Sequence, residues 1–583
     1  MQLHRSPGLL VAAVAAAVLL PNLGGPPLWD DDEPRNAACS LVMRETGDWI
    51  VPTFNGRLRV EKPALVNWLH LAGFALAGVN ETGARLGSAV LTIATCLLTW
   101  LVARDLFRPA VGTWAGVVMA TCLWTGIAGR AATPDAPLAF CTTLALWIFV
   151  AASRAPGPDC LGWRNGPVRV PPRAAVGIGA ALGLAVLAKG PVGLVLPLLG
   201  LGGFCWWQAA LDPGRGGSRL ARTTTALRDA WSGLRPGTIL AVATGVALPW
   251  YALVTHRTAG EWLWGFLFVH NVGRFAAPME GHSGSALVYY PLAVLVGTFP
   301  WSMASALIAR HAGQAVRAGE ERAVGTRLLV AWIAAWLVPF SLSGTKLPGY
   351  VWPAYPAVAG LTALFIADWI RRPAPATDVW MRWAWAFLAA SGIGLAIGLP
   401  IGLARFGAPT VWLGLIGIVP VVGAAAAWHC HSLQSRRAAA ISWAATACGT
   451  VGVLLAAGPA VIGHVGGARQ LVARLPDGAA PGSIPMASFG APASAVFYAG
   501  RLAARGTVTD LADPAEAVAF ATANPGAHFI VDARYAEPFT AALPAGYAIL
   551  DTASSQPTDR TLLLIGPARP RRIATDADTP LHR

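Results

Sequence analysis

Long apolar runs separated by short polar connections dominate the chain from residue 8 to residue 462. Each run is close to the roughly 20 residues that a helix needs to cross a bilayer core, and none shows the short alternating segments of a membrane barrel. The pattern predicts about 13 transmembrane helices, near residues 7–23, 86–103, 110–128, 136–152, 174–188, 191–210, 238–255, 286–309, 327–343, 351–370, 383–404, 410–428 and 438–462. Residues 24–85 are too long and too charged for a plain connection. Within them ACSLVMRETGDWIVP and KPALVNWLHLAGFALAG read as amphipathic segments at the membrane surface, with Trp29, Trp49 and Trp68 suited to the headgroup region. After residue 464 the pattern changes. AVFYAG, HFIVDAR and TLLLIGP read as strands and DPAEAVAFATAN as a helix, a small α/β domain. The expected fold class is an all-α polytopic membrane bundle over residues 1–464, including the 24–85 loop, followed by a C-terminal α/β domain over 465–583.

Composition supports this reading. Of 583 residues 55% are apolar and only 12% charged, about half the charged share of an ordinary soluble domain. The formal charge of +14 would suggest nucleic acid in a soluble chain, but here the excess sits in short loops, so no nucleic-acid partner is expected. With the N-terminus inside, one set of connections holds Arg104 and Arg108; Arg154, Arg164, Arg169 and Arg173; Arg215, Arg219, Arg222, Arg228 and Arg235; Arg310, Arg317, Arg322 and Arg327; Arg371, Arg372 and Arg382; and Arg436 with Arg437. That distribution satisfies the positive-inside rule. An odd number of spans then puts the C-terminal domain outside, in a multi-pass protein of the plasma membrane with a cytoplasmic N-terminus. The first run lacks an A-x-A cleavage site and reads as an uncleaved span. The eight cysteines form no CxxC pair and read as packing residues.

Only three of the 43 basic residues are lysines: Lys62, Lys189 and Lys346. All three fall at outer loops or outer helix ends, opposite the arginines of those connections. Lysine offers a compact ammonium where arginine offers a planar fork. Other polar motifs share that face. In WDDDEPRNA the carboxylates are either a solvated acidic loop or include a general base held ionised by Arg35. Glu61 and Lys62 are either a surface pair or a metal ligand beside a phosphate contact. Asp135 in TPDAPL is the expected N-cap of the next span, or a polar group of a cavity. Lys189 in LAKGP either snorkels or meets a phosphate. His270, Arg274 and His282 lie in FLFVHNVGRF and MEGHSG, where two histidines could hold a divalent metal ion. Lys346, Tyr350 and Tyr355 enter a span through KLPGYVWPAYP, the tyrosines being interface aromatics in the plainer reading. Cations for a phosphate, a base for an acceptor hydroxyl and an apolar bundle for a long tail together suit a lipid-linked phosphate. A flippase for a lipid-linked sugar would use the same cations, but would place charges nearer the bilayer midplane.

WDDDEPRNAACSLVMRETGDWIVPTFNGRLRVEKPALVNWL, followed in order by TPDAPL, LAKGPVGLVLP, RF, FPW and KLPGYVWPAYP, resembles the aminoarabinose transferase family and its protein O-mannosyltransferase relatives, glycosyltransferases of the GT-C fold. The resemblance covers about residues 25–360. It implies transfer of a sugar from a polyprenyl-phosphate-linked donor to a lipid, glycan or protein acceptor on the outer face of the membrane, without a nucleotide cofactor. It implies Asp32 as catalytic base with Glu33 and Arg35 beside it. Lys62, Asp135, Lys189, Arg274, Lys346 and Tyr350 are the implied donor phosphate or sugar contacts, and Glu61 with His270 or His282 the metal ligands. Asn36 stands where aminoarabinose transferases usually carry Tyr, so the resemblance reaches the reaction class and not the sugar.

Overall fold

The computed structural model describes residues 7–29, 32–153, 168–211, 218–279, 281–317, 321–404, 411–462, 467–473, 484–503, 508–555 and 560–568. Asp30, Asp31, Arg154, Arg164 and Arg215 lie outside these residues. The described chain divides into two compact units. One comprises Met1–Pro26, Asp48–Pro52 and Leu58–Ile462, and the other Pro27–Gly47, Thr53–Arg57 and Gly463–Arg583. The contacts thus group two pieces of the first long loop with the C-terminal segment.

The first unit is a helical membrane bundle. Among the described residues ten helices are long and apolar enough to span a bilayer, and an eleventh arises if Tyr289–Gly297 and Trp301–Arg317, bent by 116°, are one span. The remaining two expected spans are the shorter apolar helices Pro7–Leu19 and Pro109–Ala120. The run at 110–128 is broken at Thr121 and Cys122 before Leu123–Ala128 continues it. A neighbouring segment holds the break, because Trp301 Nε1 donates to Thr121 Oγ1 at 3.0 Å and Leu123 N to Phe299 O at 3.0 Å. No periodicity within 110–128 could reveal that partner.

Small and hydroxyl residues let the helices pack. Gly179 and Gly183 face the helix Pro236–Arg257, where a Cβ would stand 2.7 Å from Ile239 O and 2.8 Å from Ala243 O respectively. The two backbones therefore approach through a small-xxx-small face, as apolar surroundings favour. Thr92, Thr99 and Thr142 return their hydroxyls to carbonyls four residues earlier, so these three donors are satisfied within their own helices. Cys96, Cys122, Cys141 and Cys205 are buried packing residues.

Several arginines assigned to topology also have partners. Asp368, at the end of helix Tyr355–Arg371, accepts from Arg108 at 2.7 Å and Arg322 at 3.0 Å, with His311 Nε2 at 3.2 Å. Arg436 pairs with Asp378, which also accepts from Trp369 Nε1 at 2.9 Å. These carboxylates tie helix ends that are far apart in sequence.

In the second unit the sheet has strand order Thr509–Asp510, Met486–Phe489, His528–Asp532, Arg560–Pro567, Tyr547–Ser555. The first three strands are parallel, and the last two join antiparallel. HFIVDAR and TLLLIGP form strands, and DPAEAVAFATAN forms helix Pro514–Ala523 capped by Asp513. AVFYAG does not form a strand. It lies in helix Ala493–Gly500, entered from an extended Pro492 and buried at every residue, so its apolar run carries no alternation to distinguish the two states. Its neighbour is the helix Asp32–Thr46.

Two outcomes test this architecture. Asp368→Asn removes the carboxylate that Arg108 and Arg322 share and should cost about 3 kcal/mol, read as a lower unfolding temperature of the solubilised protein. In the second unit burial would raise the pKa of Asp532, but hydrogen bonds from the Arg534 side chain and backbone, with Arg534 and Arg560 charge, hold it below the usual carboxylate range. A depressed folded pKa stabilises above the unfolded value, ~3.9, and that stability is lost as pH falls through the folded value. Asp532→Asn should therefore weaken the domain at neutral pH and flatten its acid unfolding profile, followed by amide exchange of 528–532.

Candidate functional site

In the first unit the sequence motifs at 135, 189, 274 and 350 come together. Asp135 is the first residue of helix Asp135–Ala152, and the cap position is Pro134 with no side-chain cap bond. The expected N-cap is therefore corrected: the carboxylate turns instead to Lys189, the last residue of helix Pro172–Lys189, and forms an ion pair with it. Each charge stands at the helix end whose dipole favours it. Their side chains are only 21% and 14% exposed, so the pair is partly shielded from water. The turn after Lys189 needs glycine, since Gly190 has φ +80° and a Cβ there would stand 2.4 Å from the Phe266 ring.

Tyr350 bridges to the next cation. Lys189 Nζ lies 5.0 Å from the centre of the Tyr350 ring, and Arg274 Nη1 donates to the Tyr350 hydroxyl at 3.3 Å. The backbone at Gly349 passes close to Asp135, where a Cβ would come within 3.2 Å of Oδ2. An acid, an ammonium, a phenol and a guanidinium from four separate segments thus form one connected group, suited to recognising an anion in partly dry surroundings.

Lys346 is placed differently. Its side chain is buried, and Nζ donates to the carbonyls of Phe340 at 3.2 Å, Ser341 at 2.9 Å and Ser343. An ammonium has three hydrogens, and here they meet the last carbonyls of helix Glu321–Leu342 and the turn after it. Burial lowers the Lys346 pKa from its ordinary value. The lysine anchors the loop that leads to Tyr350. That loop also pairs with the segment after Arg274: Gly344 N donates to Phe275 O at 2.7 Å, Thr345 N to Arg274 O at 3.3 Å, and Lys346 N to His282 O at 3.0 Å. His282 contributes its carbonyl there and has an exposed side chain. His270 is half-buried in a π-helix, Gly265–Gly273, a form that sequence periodicity does not signal.

Glu61 accepts from Arg59 Nε at 3.1 Å, and Arg59 is almost wholly buried under Trp262, whose Nε1 donates to Arg59 O at 2.9 Å. Lys62 is half-buried just before helix Leu65–Ala77. Sequence reasoning missed Arg59, although the Arg59-x-Glu61 spacing puts both on one face of an extended chain. It also missed Asp48, whose carboxylate meets Arg257 at 2.7 Å and 2.9 Å. Among the described residues no three of His, Cys, Asp and Glu gather in a metal-binding group. One oxygen of the Glu61 carboxylate is held by Arg59.

The remaining candidates lie in the second unit. Asp32 opens helix Asp32–Thr46 and is exposed, whereas Glu33 is buried and accepts from Trp29 N at 2.8 Å. The neighbouring carboxylates thus divide their tasks: Glu33 secures the helix entry and Asp32 faces out. The Arg35 guanidinium stands 5.7 Å from the centre of the Phe54 ring. Leu28 N donates to the Tyr498 hydroxyl at 3.0 Å, Asn55 Nδ2 to Ser488 Oγ at 3.3 Å, and Arg57 pairs with Asp510 at 3.2 Å. The C-terminal segment therefore holds both flanks of the Asp32 helix. Tyr498, inside the stretch expected to be a strand, is the residue whose role the sequence concealed.

Residues 28–227 match the family model for dolichyl-phosphate-mannose-protein mannosyltransferases. The chain is 32% identical over 369 residues to undecaprenyl phosphate-alpha-4-amino-4-deoxy-L-arabinose arabinosyl transferase 2 of Pseudomonas fluorescens, covering 62% of this chain and 60% of that protein. It is 31% identical over 359 residues to the corresponding transferase of Pseudomonas aeruginosa, covering 60% of this chain and 58% of that protein. These matches span less than two thirds of the relatives' length. The fold is similar along almost the whole chain to ArnT from Cupriavidus metallidurans bound to undecaprenyl phosphate, with a TM-score of 0.72, 22% identity, and coverage of 95% of this chain and 97% of that one.

The anchoring of the Asp32 helix is open to measurement. Tyr498→Phe leaves the buried Leu28 N–H unpaired, which costs about 1–2 kcal/mol. Amide exchange over residues 28–46 should quicken roughly tenfold while the membrane helices keep their protection.

Proposed function

We propose that this multi-pass membrane chain, with the fold of ArnT and partial matches to aminoarabinose transferases and to the protein mannosyltransferase family model, moves a sugar from a polyprenyl-phosphate carrier to a lipid, glycan or protein acceptor. The observation that carries this reading is the group Asp135, Lys189, Tyr350 and Arg274. A phosphate leaving a sugar needs fixed positive charge where its own charge grows. Lys189 and Arg274 meet on one tyrosine and supply it, with Lys62 as a third contact. Asp135 balances Lys189 until the donor phosphate takes its place. The relatives named for undecaprenyl phosphate support the carrier class; the sugar is not assigned.

In the proposed reaction the acceptor oxygen forms a bond to the anomeric carbon as the bond from that carbon to the phosphate oxygen breaks. The electron pair leaves with the polyprenyl phosphate, where the cations hold it. Asp32, exposed at its helix N-terminus, takes the proton from the acceptor. Arg35 follows three residues on in the same helix, and Glu33 fixes the helix entry. Lys346 positions Tyr350 through its loop. We further propose that the arginine-rich loops and the N-terminus face the cytoplasm, with the C-terminal domain outside.

The test is sugar transfer by the protein in liposomes, from a panel of undecaprenyl-phosphate sugars to membrane acceptors. Asp32→Asn should lower kcat by about 10²–10⁴-fold. Lys189→Met and Arg274→Gln should lower kcat/KM for the donor. Full transfer by Asp32→Asn would remove the proposed base. Translocation of the lipid-linked sugar with no transfer from any donor would establish the flippase instead.

A further inference from the structure

The connection between spans Val192–Ala210 and Pro236–Arg257 contains a helix of its own, Arg219–Leu234, with sequence RLARTTTALRDAWSGL. Ser218 caps its start, accepting from Ala221 N at 3.2 Å. Its end is fixed at Arg235, which has φ +56° and donates Nε to Val170 O at 3.0 Å, while Val170 N donates to Gly233 O at 2.8 Å. Span Val192–Ala210 begins near Lys189 and ends before this helix, so the helix lies at the opposite end of the bundle from the proposed phosphate group.

One face is docked. Ala226, Ala230, Gly233 and Leu234 are buried, and the helix packs against Val192–Ala210. The adjoining face is apolar and uncovered: Leu220, Leu227 and Trp231 are 74%, 54% and 67% exposed. At about 100° per residue these three fall within an arc of roughly 40°. Exposed Arg228 lies about 60° past the stripe and exposed Arg222 on the face opposite it, and nearby segments add exposed Arg169, Arg173 and Arg235. Among the described residues of 168–173 and 218–235 the one acidic side chain is Asp229.

An apolar stripe ending in tryptophan, with exposed arginines on the polar surface of the same helix, matches a helix lying in the membrane surface. Exposed Leu199 and Trp206 on the docked span and Leu240 on the next extend the same apolar character onto the spans. The excess of arginine selects the lipid charge, since each basic residue near an anionic surface gains from its potential.

We infer that helix Arg219–Leu234 lies in the plane of the arginine-side leaflet, where Leu220, Leu227 and Trp231 enter the acyl region and Arg222 and Arg228 bind anionic phospholipid headgroups. The proposal is independent of the transfer reaction.

The full-length protein in vesicles of phosphatidylcholine, with or without phosphatidylglycerol, provides the test. Comparing wild type with Trp231→Phe isolates the fluorescence of Trp231 from that of the other tryptophans. The difference signal should be quenched by lipids brominated on their acyl chains and protected from aqueous iodide. In mixed vesicles brominated phosphatidylglycerol should quench it more than equally brominated phosphatidylcholine. Arg222→Gln with Arg228→Gln should reduce that preference about tenfold, with the unfolding temperature unchanged as a check on folding. A Trp231 signal open to iodide and blind to brominated lipid would overturn the proposal and indicate a water-facing surface for a soluble partner. Equal quenching by both lipids, indifferent to the two arginines, would overturn the headgroup recognition.

Discussion

Asp135 and Lys189 meet where two spans pack, and each stands at the end of its helix that favours its charge. Their pairing joins the start of one span to the end of another, and it does so where water is scarce enough for the interaction to matter. Tyr350 and Arg274 complete the group only because the loops after residues 274 and 342 are sewn together by backbone hydrogen bonds. Lys346 holds one of those loops from beneath, spending its hydrogens on carbonyls. In the proposed reaction, the lysine that meets the donor and the lysine that supports its neighbours are therefore different residues.

The arginine-rich loops of the bundle use charge in another way. Asp368 collects Arg108, Arg322 and His311, and Asp378 collects Arg436. These carboxylates satisfy basic residues placed there by topology and tie helix ends into a frame. On helix Arg219–Leu234 Arg222 and Arg228 are instead exposed beside an apolar stripe. One residue type thus serves as structural tie in one loop and as proposed lipid contact in another.

The second unit adds a separate constraint. Its sheet carries the hydroxyl of Ser488 and the carboxylate of Asp510, and its buried helix carries Tyr498; together they hold the segments on both sides of Asp32. Burial of Glu33 leaves Asp32 as the exposed carboxylate of the pair, in keeping with its proposed role as the base.

Hydropathy determined the membrane bundle by itself, because a helix that crosses hydrocarbon must be apolar along about 20 residues whatever its neighbours are. The scarcity of lysine and the positions of Asp135, Lys189, Arg274 and Tyr350 likewise stood out in the chain. What the sequence could not decide were partnerships across long separations. Asp135 could cap its own helix or pair with Lys189, and only the packing of two spans chose the pair. The run at 110–128 could be one span, and only Trp301 and Phe299 fixed its break. AVFYAG could be strand or helix, since burial on every side erases the period that separates them. Local pattern records how each segment meets its solvent; which distant group meets a given charge is decided when the helices pack.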